Sequence, residues 1–211
     1  MKIVIIGQGG HSKVVKDIVL SNNESEIVGY LDDRYEEITT VDSIYFGPIS
    51  TAYEMINYFN QIKFVIAIGD NKARKIIVER LQLSNDCYTT LIHKTAVVSP
   101  SAKIGNGTVI MPNVVINADT QIGNHTIINT GSVVEHDNIV GDFVHISPNV
   151  TLTGSVIIKE GVHIGAAVTM IPSAKVREWS IIGAGSVVTN DVPPHCTAVG
   201  IPAKVINEVS Y

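Results

Sequence analysis

Residues 120–143 read TQIGNHTIINTGSVVEHDNIVGDF, and this stretch divides into four six-residue units that share one pattern. The third residue of each unit is aliphatic (Ile, Ile, Val, Val), and the first is Thr, Ser or Asn. The same division continues in both directions and gives sixteen consecutive hexads between residues 96 and 191. Their third position is apolar in every hexad, from Val98 to Val188. Since about half of the residues in an ordinary protein are apolar, this regularity indicates a repeat.

A hexapeptide period of this kind predicts a parallel β-helix. One inward side chain per short strand stacks on its counterpart in the next coil, and no single coil buries that face alone. Both ends of the stack therefore need a cap. We expect residues 1–92 to cover one end, and the segment DVPPHCTAVGIPAKVINEVSY, residues 191–211, to cover the other.

Residues 1–92 follow a different pattern, in which strand-like and helix-like runs alternate. The strand-like runs are KIVIIG (2–7), EIVGYLDD (26–33) and KFVIAIGD (63–70), and the helical runs are 11–22, 49–59 and 71–82. Strands that alternate with helices predict a parallel sheet. The region is too short for both halves of a full dinucleotide-binding fold. We therefore predict a small Rossmann-like α/β domain over residues 1–92 and a β-helix domain with a C-terminal cap over residues 93–211.

The composition excludes several classes of function. The chain has 211 residues, 45% of them hydrophobic, and a net charge of −5, which argues against a nucleic-acid-binding surface. No apolar run approaches the length of about 18 residues that a membrane span needs, and the N-terminal apolar run is too short for a signal peptide. The two cysteines, Cys87 and Cys196, form neither a metal-binding spacing nor a disulfide framework. We expect a cytoplasmic protein that binds no membrane and no metal.

The hexads and the C-terminal GIPAK motif (200–204) resemble the hexapeptide-repeat acyltransferases. The N-terminal pieces GQGGHS (7–12), YLDD (30–33) and IAIGDN (66–71) are similar to a narrower group, the UDP-amino-sugar N-acetyltransferases and sialic acid O-acetyltransferases. The resemblance implies a left-handed β-helix with three hexads per coil and a homotrimer with active sites between neighbouring β-helices. It also implies acetyl-CoA as the co-substrate.

The triplet Glu135–His136–Asp137 interrupts one of the most aliphatic parts of the repeat. With eighteen residues per coil, His136 would stack between Ala118 and Gly154, whose small size leaves room for a thin ligand such as a pantetheine arm. Histidine can accept a proton from an attacking amine or hydroxyl near neutral pH, and a carboxylate can fix its tautomer. The alternative is an exposed corner histidine. The resemblance implies His136 as general base and Asp137 as its partner; Glu135 ranks second, because a regular strand would point it to the opposite face.

The resemblance also implies contacts along a coenzyme A groove. The implied residues are His145, Gly154, Ala166, Gly183 and Ala184, and the Gly154 N–H is the candidate donor to the tetrahedral oxyanion. His163 lies eighteen residues after His145 and is expected to stack on it. The alternative for both is a surface histidine. Two imidazoles without a further ligand are weak evidence for a metal, so no metal site is predicted.

The GQGGHS motif follows a strand, opens a helix and nearly spells G-x-G-x-x-G, with Ser12 in the third glycine position. The missing glycine and the small domain argue against an NAD site. Backbone amides at a helix N-terminus still bind phosphate, and acids after the next strand can accept hydrogen bonds from a ribose or uracil. The resemblance implies nucleotide-sugar binding by Gly9, Gly10, His11, Asp32, Asp33, Gly69 and Asn129. The alternative is an ordinary strand–helix turn with capping acids.

The leading functional hypothesis is acetyl-CoA-dependent N-acetylation of a nucleotide-linked amino sugar, with a UDP-linked 4-amino sugar as the first candidate. Transfer would be direct, with His136 as general base and no cysteine nucleophile. Three alternatives remain: O-acetylation of a sialic acid or polysaccharide sugar, a nucleotide-sugar-binding protein without catalysis, and an NAD-dependent reductase. The last is disfavoured by the missing third glycine.

Overall fold

The computed structural model describes residues 1–22, 25–59 and 61–208. The chain begins with an α/β domain whose sheet has the strand order β3-β4-β2-β1-β5. Its strands are β1 Lys2–Ile6, β2 Glu26–Leu31, β3 Thr39–Val41, β4 Ile44–Gly47 and β5 Ile62–Ile66. Its helices are α1 Gly10–Leu20, α2 Ala52–Tyr58 and α3 Asn71–Leu81, with short 3-10 turns at Ile49–Thr51 and Asn85–Cys87.

Both faces of this sheet are covered, which explains why its central strand is apolar throughout. Ile3 and Ile5 of β1 pack with Val15 of α1 in one core, whereas Val4 and Ile6 belong to a second core on the opposite face, shared with α2 and α3. A strand that is buried on two sides has a continuous hydrophobic sequence.

None of the helices in the described part of the chain combines the length and apolarity that a membrane crossing requires.

The three predicted strands, β2, β1 and β5, pair in parallel as expected, whereas the antiparallel hairpin of β3 and β4, which adds β4 in parallel to β2, was not predicted. Asp42 and Ser43 form its two-residue turn with φ angles of 49° and 65°. Two consecutive positive φ angles are typical of a type I′ turn, which is usually marked by a glycine. The Asp-Ser pair lacks that glycine, so the turn left no clear signal in the sequence.

The rest of the chain coils into a parallel β-helix with three faces. Its strands are β6 Leu91–Ile92, β7 Val97–Val98, β8 Lys103–Ile104, β9 Val109–Ile110, β10 Val115–Ile116, β11 Gln121–Ile122, β12 Ile127–Ile128, β13 Val133–Val134, β14 Ile139–Val140, β15 His145–Ile146, β16 Thr151–Leu152, β17 Ile157–Ile158, β18 His163–Ile164, β19 Thr169–Met170, β20 Lys175–Val176, β21 Ile181–Ile182 and β22 Val187–Val188. Face 1 contains β6, β9, β12, β15, β18 and β21; face 2 contains β7, β10, β13, β16, β19 and β22; face 3 contains β8, β11, β14, β17 and β20.

Strands on one face pair in register at a spacing of eighteen residues, for example Val115 with Val133 and Ile127 with His145. The second residue of each strand is the third position of a hexad. From Ile110 to Val188 these residues are buried, and they form one continuous stack. At the C-terminal end, β23 Cys196–Val199 continues face 1 in parallel with β21, and β24 Lys204–Glu208 pairs antiparallel with β23. This hairpin forms the end of the stack.

Three corners join the faces, and two of them position candidate site residues. The 1–2 corner contains residues 129–132 and their equivalents in other coils, the 2–3 corner contains 135–138, and the 3–1 corner contains 141–144. The last hexad position in a corner often adopts the left-handed conformation, with φ angles of 60° at Asp137 and 55° at Phe143.

The α/β domain packs on the 3–1 corner through α3. Asn71 and Arg74, both buried, donate hydrogen bonds to backbone carbonyls of three successive coils. His125 lies in the same contact, edge-on to Tyr88 at 4.6 Å between ring centroids and stacked on Phe143 at 5.3 Å. Neither ring nitrogen of His125 has a hydrogen-bond partner among the residues that the structure describes.

We expect acid to weaken this contact through His125. Burial lowers the pKa of His125 to about 4 from an ordinary 6.5, and the positive charge of Arg74 acts in the same direction. The unfolded chain therefore binds a proton at this residue that the folded chain excludes, and the free energy of unfolding falls as the pH drops from 6.5 towards 4. Between about pH 7 and pH 5 this one histidine should remove on the order of 1–2 kcal/mol.

The measurement is urea unfolding of the wild type and His125→Phe at those two pH values. Phe143 occupies the equivalent position one coil later, with a φ of 55° close to the 52° of His125. Phenylalanine is therefore compatible with the backbone conformation at position 125. The variant should lose less stability on acidification than the wild type. The matched control is His93→Phe at a half-buried position of the 1–2 corner, away from α3, which should keep the wild-type pH dependence. Equal pH dependence in wild type and His125→Phe would contradict the prediction.

Candidate active site

His136 and Asp137 form a side-chain pair at the 2–3 corner, directly after β13. The Nδ1 atom of His136 lies 2.7 Å from Oδ2 of Asp137. Because a carboxylate only accepts, Nδ1 carries the proton, and Nε2 of the neutral imidazole keeps its lone pair. The His136 side chain is 60% exposed, so Nε2 is accessible to a ligand. This geometry is that of an oriented proton acceptor.

Gly154 lies directly beneath this imidazole in the next coil, as the eighteen-residue spacing predicts. A Cβ atom built on Gly154 would lie 2.7 Å from both Cε1 and Nε2 of His136. Within the described part of the chain, the Gly154 N–H donates to no other atom, although its carbonyl accepts from Ser173 N–H at 3.0 Å. A free backbone donor therefore lies beside the proton acceptor.

The charge around His136 favours its protonated form. The hydrogen bond to Asp137 raises the pKa of His136 above 6.5, and the negative charges of Asp137 and then Glu135 act in the same direction. Glu135 contributes only through its charge; the hydrogen bond comes from Asp137. The raised pKa strengthens the basicity of Nε2.

We expect Asp137→Asn to shift the pH dependence of turnover. A base must be neutral to act, so activity in the wild type falls as the pH drops through the raised pKa of His136. Asparagine removes the carboxylate charge, so the acid limb of kcat/KM should move to lower pH, and the rate at the optimum should fall about 10–100-fold. Asparagine tolerates the φ of 60° at this corner. Steady-state rates between about pH 5 and pH 9 measure the shift; an unchanged limb would contradict it.

A second cluster forms where the α/β domain meets face 1, and it unites several predicted substrate-binding residues. The Nδ1 atom of His145 lies 3.1 Å from the Gly69 carbonyl oxygen, and its Nε2 lies 3.3 Å from Nδ2 of Asn129. The His11 ring is 6.4 Å from the His145 ring, centroid to centroid. His163 stacks on His145 at 4.9 Å, as predicted from their spacing. His145, for which a coenzyme A contact was predicted, thus lies among the substrate set.

The histidines of this cluster are held neutral. Burial, followed by the charge of Arg74, lowers the pKa of His11 to about 4. Burial first, then His163 and Arg74, lowers the pKa of His145 to about 3. The Nε2 atom of His11 is buried, and no described residue forms a hydrogen bond with it. A neutral imidazole with an unused nitrogen can bind a polar group of an uncharged sugar.

The remaining N-terminal residues lie around the start of α1. Gly9 and Gly10 are exposed, α1 has no side-chain cap, and a Cβ atom built on either glycine would contact nothing within 4 Å. Asp32 accepts from the Gln8 N–H at 2.7 Å, whereas Asp33 accepts from the Ile49 N–H and pairs with Arg80. Both acids therefore already have partners within the chain, and the glycines are open.

A groove of about 850 Å³ begins at this turn and follows α1 along the sheet. Its lining combines the apolar side chains of Tyr30 and Phe46, stacked at 5.6 Å, with Lys13, Lys16 and Arg34. Cations beside an uncapped helix N-terminus favour an anionic group such as a diphosphate.

Ala166, Gly183 and Ala184 lie at the 1–2 corner near the C-terminal end of the β-helix. Ala166 and Ala184 are exposed and one coil apart, and the Gly183 N–H donates to the Ala198 carbonyl at 2.9 Å. A Cβ atom on Gly183 would lie 2.7 Å from Cγ1 of Val199, so the glycine is required by the cap hairpin. The three small residues leave a shallow strip along this edge.

The predicted site residues therefore fall into three separate sets in one chain. His136, Asp137 and Gly154 occupy the 2–3 corner. Ala166, Gly183 and Ala184 occupy the 1–2 corner, across face 2. The cluster around His145 lies on face 1, which is opposite the 2–3 corner in the triangular cross-section. A single chain does not bring these sets together.

Arg74 is the residue of this region that the sequence analysis missed. It is 1% exposed and donates to the Gly69 carbonyl, which also contacts His145. A signal existed in the sequence, because the buried residues of α3 are Asn71, Arg74, Ile77 and Leu81, at the spacing of one helix face.

Among the described residues, no group of three or more His, Cys, Asp or Glu side chains could hold a metal ion.

Comparison with known proteins agrees with this architecture. Residues 2–81 match the family model of the PglD N-terminal domain, and residues 101–136 match the model of six bacterial transferase hexapeptide repeats. PerB from Caulobacter crescentus, solved in complex with CoA and GDP-perosamine, is 34% identical, with a TM-score of 0.87 over 98% of this chain and 98% of that chain. The chain belongs to the hexapeptide-repeat acyltransferase family. The predicted fold class, an α/β domain followed by a left-handed β-helix, is confirmed.

Two further relatives of this acyltransferase have names that specify an activity or a bound ligand. The acetyltransferase domain of PglB from Neisseria gonorrhoeae FA1090, solved in complex with acetyl coenzyme A, is 34% identical, with a TM-score of 0.84 over 97% of this chain and 98% of that chain. The UDP-N-acetylbacillosamine N-acetyltransferase of Bacillus subtilis (strain 168) is 42% identical over 109 residues. That match covers 52% of this chain and 50% of the Bacillus protein, so it spans about half the length of the curated relative.

Proposed function

We propose that this acyltransferase is a nucleotide-sugar N-acetyltransferase that transfers the acetyl group of acetyl-CoA to the amino group of a UDP-linked 4-amino sugar. The observation that carries the proposal is the His136–Asp137 pair, with an exposed Nε2 above the free N–H of Gly154. The relatives support the substrate class, since their names specify a UDP-sugar in Bacillus subtilis and GDP-perosamine in Caulobacter crescentus.

The reaction requires three groups of this chain. The sugar amine attacks the thioester carbonyl of acetyl-CoA while Nε2 of His136 removes a proton from the amine. The Gly154 N–H donates to the oxygen that becomes negatively charged in the tetrahedral intermediate. The C–S bond then breaks, and the CoA sulfur leaves as a thiolate that takes up the proton. The products are the N-acetylated sugar and free CoA thiol, and no covalent enzyme intermediate is needed.

The α/β domain supplies the nucleotide site in this proposal. The diphosphate binds at the open start of α1, at Gly9 and Gly10, where backbone amides and the rim of Lys13, Lys16 and Arg34 offer positive potential. The sugar lies towards Gly69, His11, His145 and Asn129. Asp32 and Asp33 act mainly by holding the loops around this site, since both accept hydrogen bonds from within the chain.

The coenzyme and a second copy of the chain complete the site. Ala166, Gly183 and Ala184 offer a strip without bulky side chains for the pantetheine arm. Because this strip, the His136 corner and the sugar cluster lie apart in one chain, a homotrimer with a site at each interface unites them. Face 2 suits such contact, since its outward residues are β-branched and uncharged: Val97, Val115, Val133, Thr151, Thr169 and Val187.

The test is the release of CoA thiol from acetyl-CoA in the presence of individual acceptors. UDP-linked 4-amino sugars, a GDP-linked 4-amino sugar and free sialic acid are compared at one enzyme concentration, and the product is identified by mass spectrometry. Turnover on a UDP-sugar only is expected. Turnover on the GDP-sugar only would overturn the choice of nucleotide. Turnover on sialic acid only would establish O-acetylation. No CoA release with any acceptor would favour a binding protein without catalysis.

A mixing experiment tests the shared site. His136→Ala and His145→Ala are each expected to be nearly inactive, and co-refolding or co-expression of the two should restore part of the activity, because some interfaces then combine an intact base with an intact sugar cluster. Static light scattering should give three times the chain mass of 22.7 kDa. A monomer that turns over at the full rate would contradict the homotrimer.

A further inference from the structure

Arg74 is a buried cation whose hydrogen bonds all go to uncharged oxygen atoms. It is 1% exposed, and burying an ion without a counter-ion is costly, so its presence calls for a specific reason. Its acceptors are the carbonyl oxygens of His125 at 3.0 Å, Ile68 at 3.1 Å, Gly69 at 2.9 Å, Phe143 at 3.0 Å and Val144 at 3.2 Å, together with Oδ1 of Asn71 at 2.8 Å. The guanidinium thus ties the loop after β5 to two coils of the β-helix.

The Gly69 carbonyl links Arg74 to His145. It accepts from Nη1 of Arg74 at 2.9 Å and faces Nδ1 of His145 at 3.1 Å. A carbonyl oxygen can only accept, so Nδ1 of His145 carries a proton. In a neutral imidazole Nε2 is then an acceptor. The orientation of one carbonyl therefore determines which nitrogen of His145 is protonated.

The amide of Asn129 continues this chain of hydrogen bonds. Its Oδ1 accepts from the Thr130 N–H at 2.8 Å, which directs the Nδ2 group towards His145, with Nδ2 3.3 Å from Nε2. One N–H of the Asn129 amide is used by this contact, and the other is available to a ligand. The subsite consequently presents a donor, which suits a ligand oxygen such as a hydroxyl or an acetamido carbonyl.

We propose that Arg74 is a positioning residue for sugar recognition. By holding the Gly69 carbonyl it fixes His145 in the Nδ1–H form. The Nε2 acceptor of His145 and the Thr130 N–H together then hold the Asn129 amide so that its second N–H faces an acceptor oxygen of the sugar. The proposal rests on the proposed function for one point only, namely that the ligand of His145 and Asn129 is a sugar. The hydrogen-bond chain itself exists without ligand.

The charges that face His145 act in the same direction. His163, Arg74 and His11 surround it, and each lowers its pKa after the larger effect of burial, while the Gly69 carbonyl raises it. Asp70 opposes the effect of Arg74 at His163. A doubly protonated His145 would be repelled by the positive charge of Arg74. Its Nε2 would then carry a hydrogen that faces the N–H donor of Asn129, so that hydrogen bond would be lost. The neutral form is therefore the one that preserves the subsite.

The first measurement is the tautomer of His145 by long-range ¹H–¹⁵N correlation NMR in the unliganded full-length protein. The wild type is expected to be in the Nδ1–H form, and Arg74→Lys, which keeps the charge but cannot hold the same set of carbonyls, should give a mixture. An Nε2–H form in the wild type would overturn the proposal. This readout involves no turnover, so it is independent of whether the proposed acetylation is correct.

The second measurement separates positioning from stability. In Arg74→Lys the KM for the UDP-linked amino sugar should rise about tenfold or more, with the KM for acetyl-CoA unchanged, because one lost sugar hydrogen bond costs about 1.4 kcal/mol. The matched control is Lys75→Ala, which loses the contact of α3 with Glu160 of the β-helix but leaves Arg74, Asn71 and Gly69 in place. It should lower the melting temperature and keep the His145 tautomer and the KM.

Further variants keep the proposal falsifiable if Arg74→Lys fails to fold. Asn129→Asp replaces the donor beside Nε2 with an acceptor, so His145 should gain a proton on Nε2 and the sugar should bind more weakly. A folded Arg74→Lys with wild-type tautomer and KM would overturn the proposal, as would Asn129→Asp with both readouts unchanged. Lys75→Ala with a shifted tautomer would also overturn it, because general loosening of the domain contact would then explain the effect.

Discussion

Replacing His136 with alanine should lower kcat by about 10²–10⁴-fold, the usual range for the loss of a general base. The imidazole is the proton acceptor next to the free Gly154 N–H, and the carboxylate of Asp137 is engaged with Nδ1 of the same ring. The acid limb of kcat/KM that belongs to His136 should disappear with it. Stopped or continuous thiol assays with acetyl-CoA and the amino sugar measure both effects.

The His136→Ala variant should fold as the wild type does. The side chain is 60% exposed, and the corner is held by backbone bonds, including Asp137 N–H to the Ala118 carbonyl at 3.0 Å. His93→Ala is the matched control, because it makes the same substitution at a half-buried residue of the first coil and should leave kcat unchanged. Full activity in His136→Ala would remove the general-base role, and loss of folding would make His136 a structural residue.

A repeat allowed the surroundings of His136 to be predicted from sequence, whereas the docking of the α/β domain could not be. Because each coil contains eighteen residues, the residues eighteen positions before and after any residue of the β-helix are its neighbours in the stack. This spacing correctly predicted that His136 lies over Gly154 and that His145 stacks on His163. Arg74, by contrast, lies in a helix with lysines on its other faces. Its acceptors are backbone carbonyls of distant coils, which no local pattern encodes.

The position of His145 illustrates the same limit. The coenzyme A contact that the resemblance implies for His145 stays a prediction, whereas the contact of its Nδ1 with the Gly69 carbonyl, seventy-six positions earlier in the sequence, was not foreseen. The repeat determines that His145 points outward from face 1. Which residues cover that face depends on how α3 packs on the 3–1 corner. That packing is determined by the surfaces of the two folded domains and not by the hexad pattern.

Replacing Gly154 with alanine should lower kcat about 10²-fold with little change in stability. The added Cβ would lie 2.7 Å from Cε1 and Nε2 of His136, closer than carbon and nitrogen atoms approach without a bond, so the exposed ring must move. A displacement of about 1 Å at a reacting group can cost 10²-fold in rate. Gly154 does not need the left-handed conformation, so alanine adds no backbone strain, and its N–H remains available as a donor.

A double-mutant cycle with His136→Ala distinguishes the causes. If the added methyl group acts by displacing the imidazole, it has nothing to displace once His136 is absent, so the double variant should be no slower than His136→Ala alone. If alanine instead disturbed the backbone donor, its cost would persist, and the two effects would multiply. The double-mutant cycle therefore tests why position 154 requires a glycine. The expected reason is that the imidazole of His136, the general base in the preceding coil, packs directly on it.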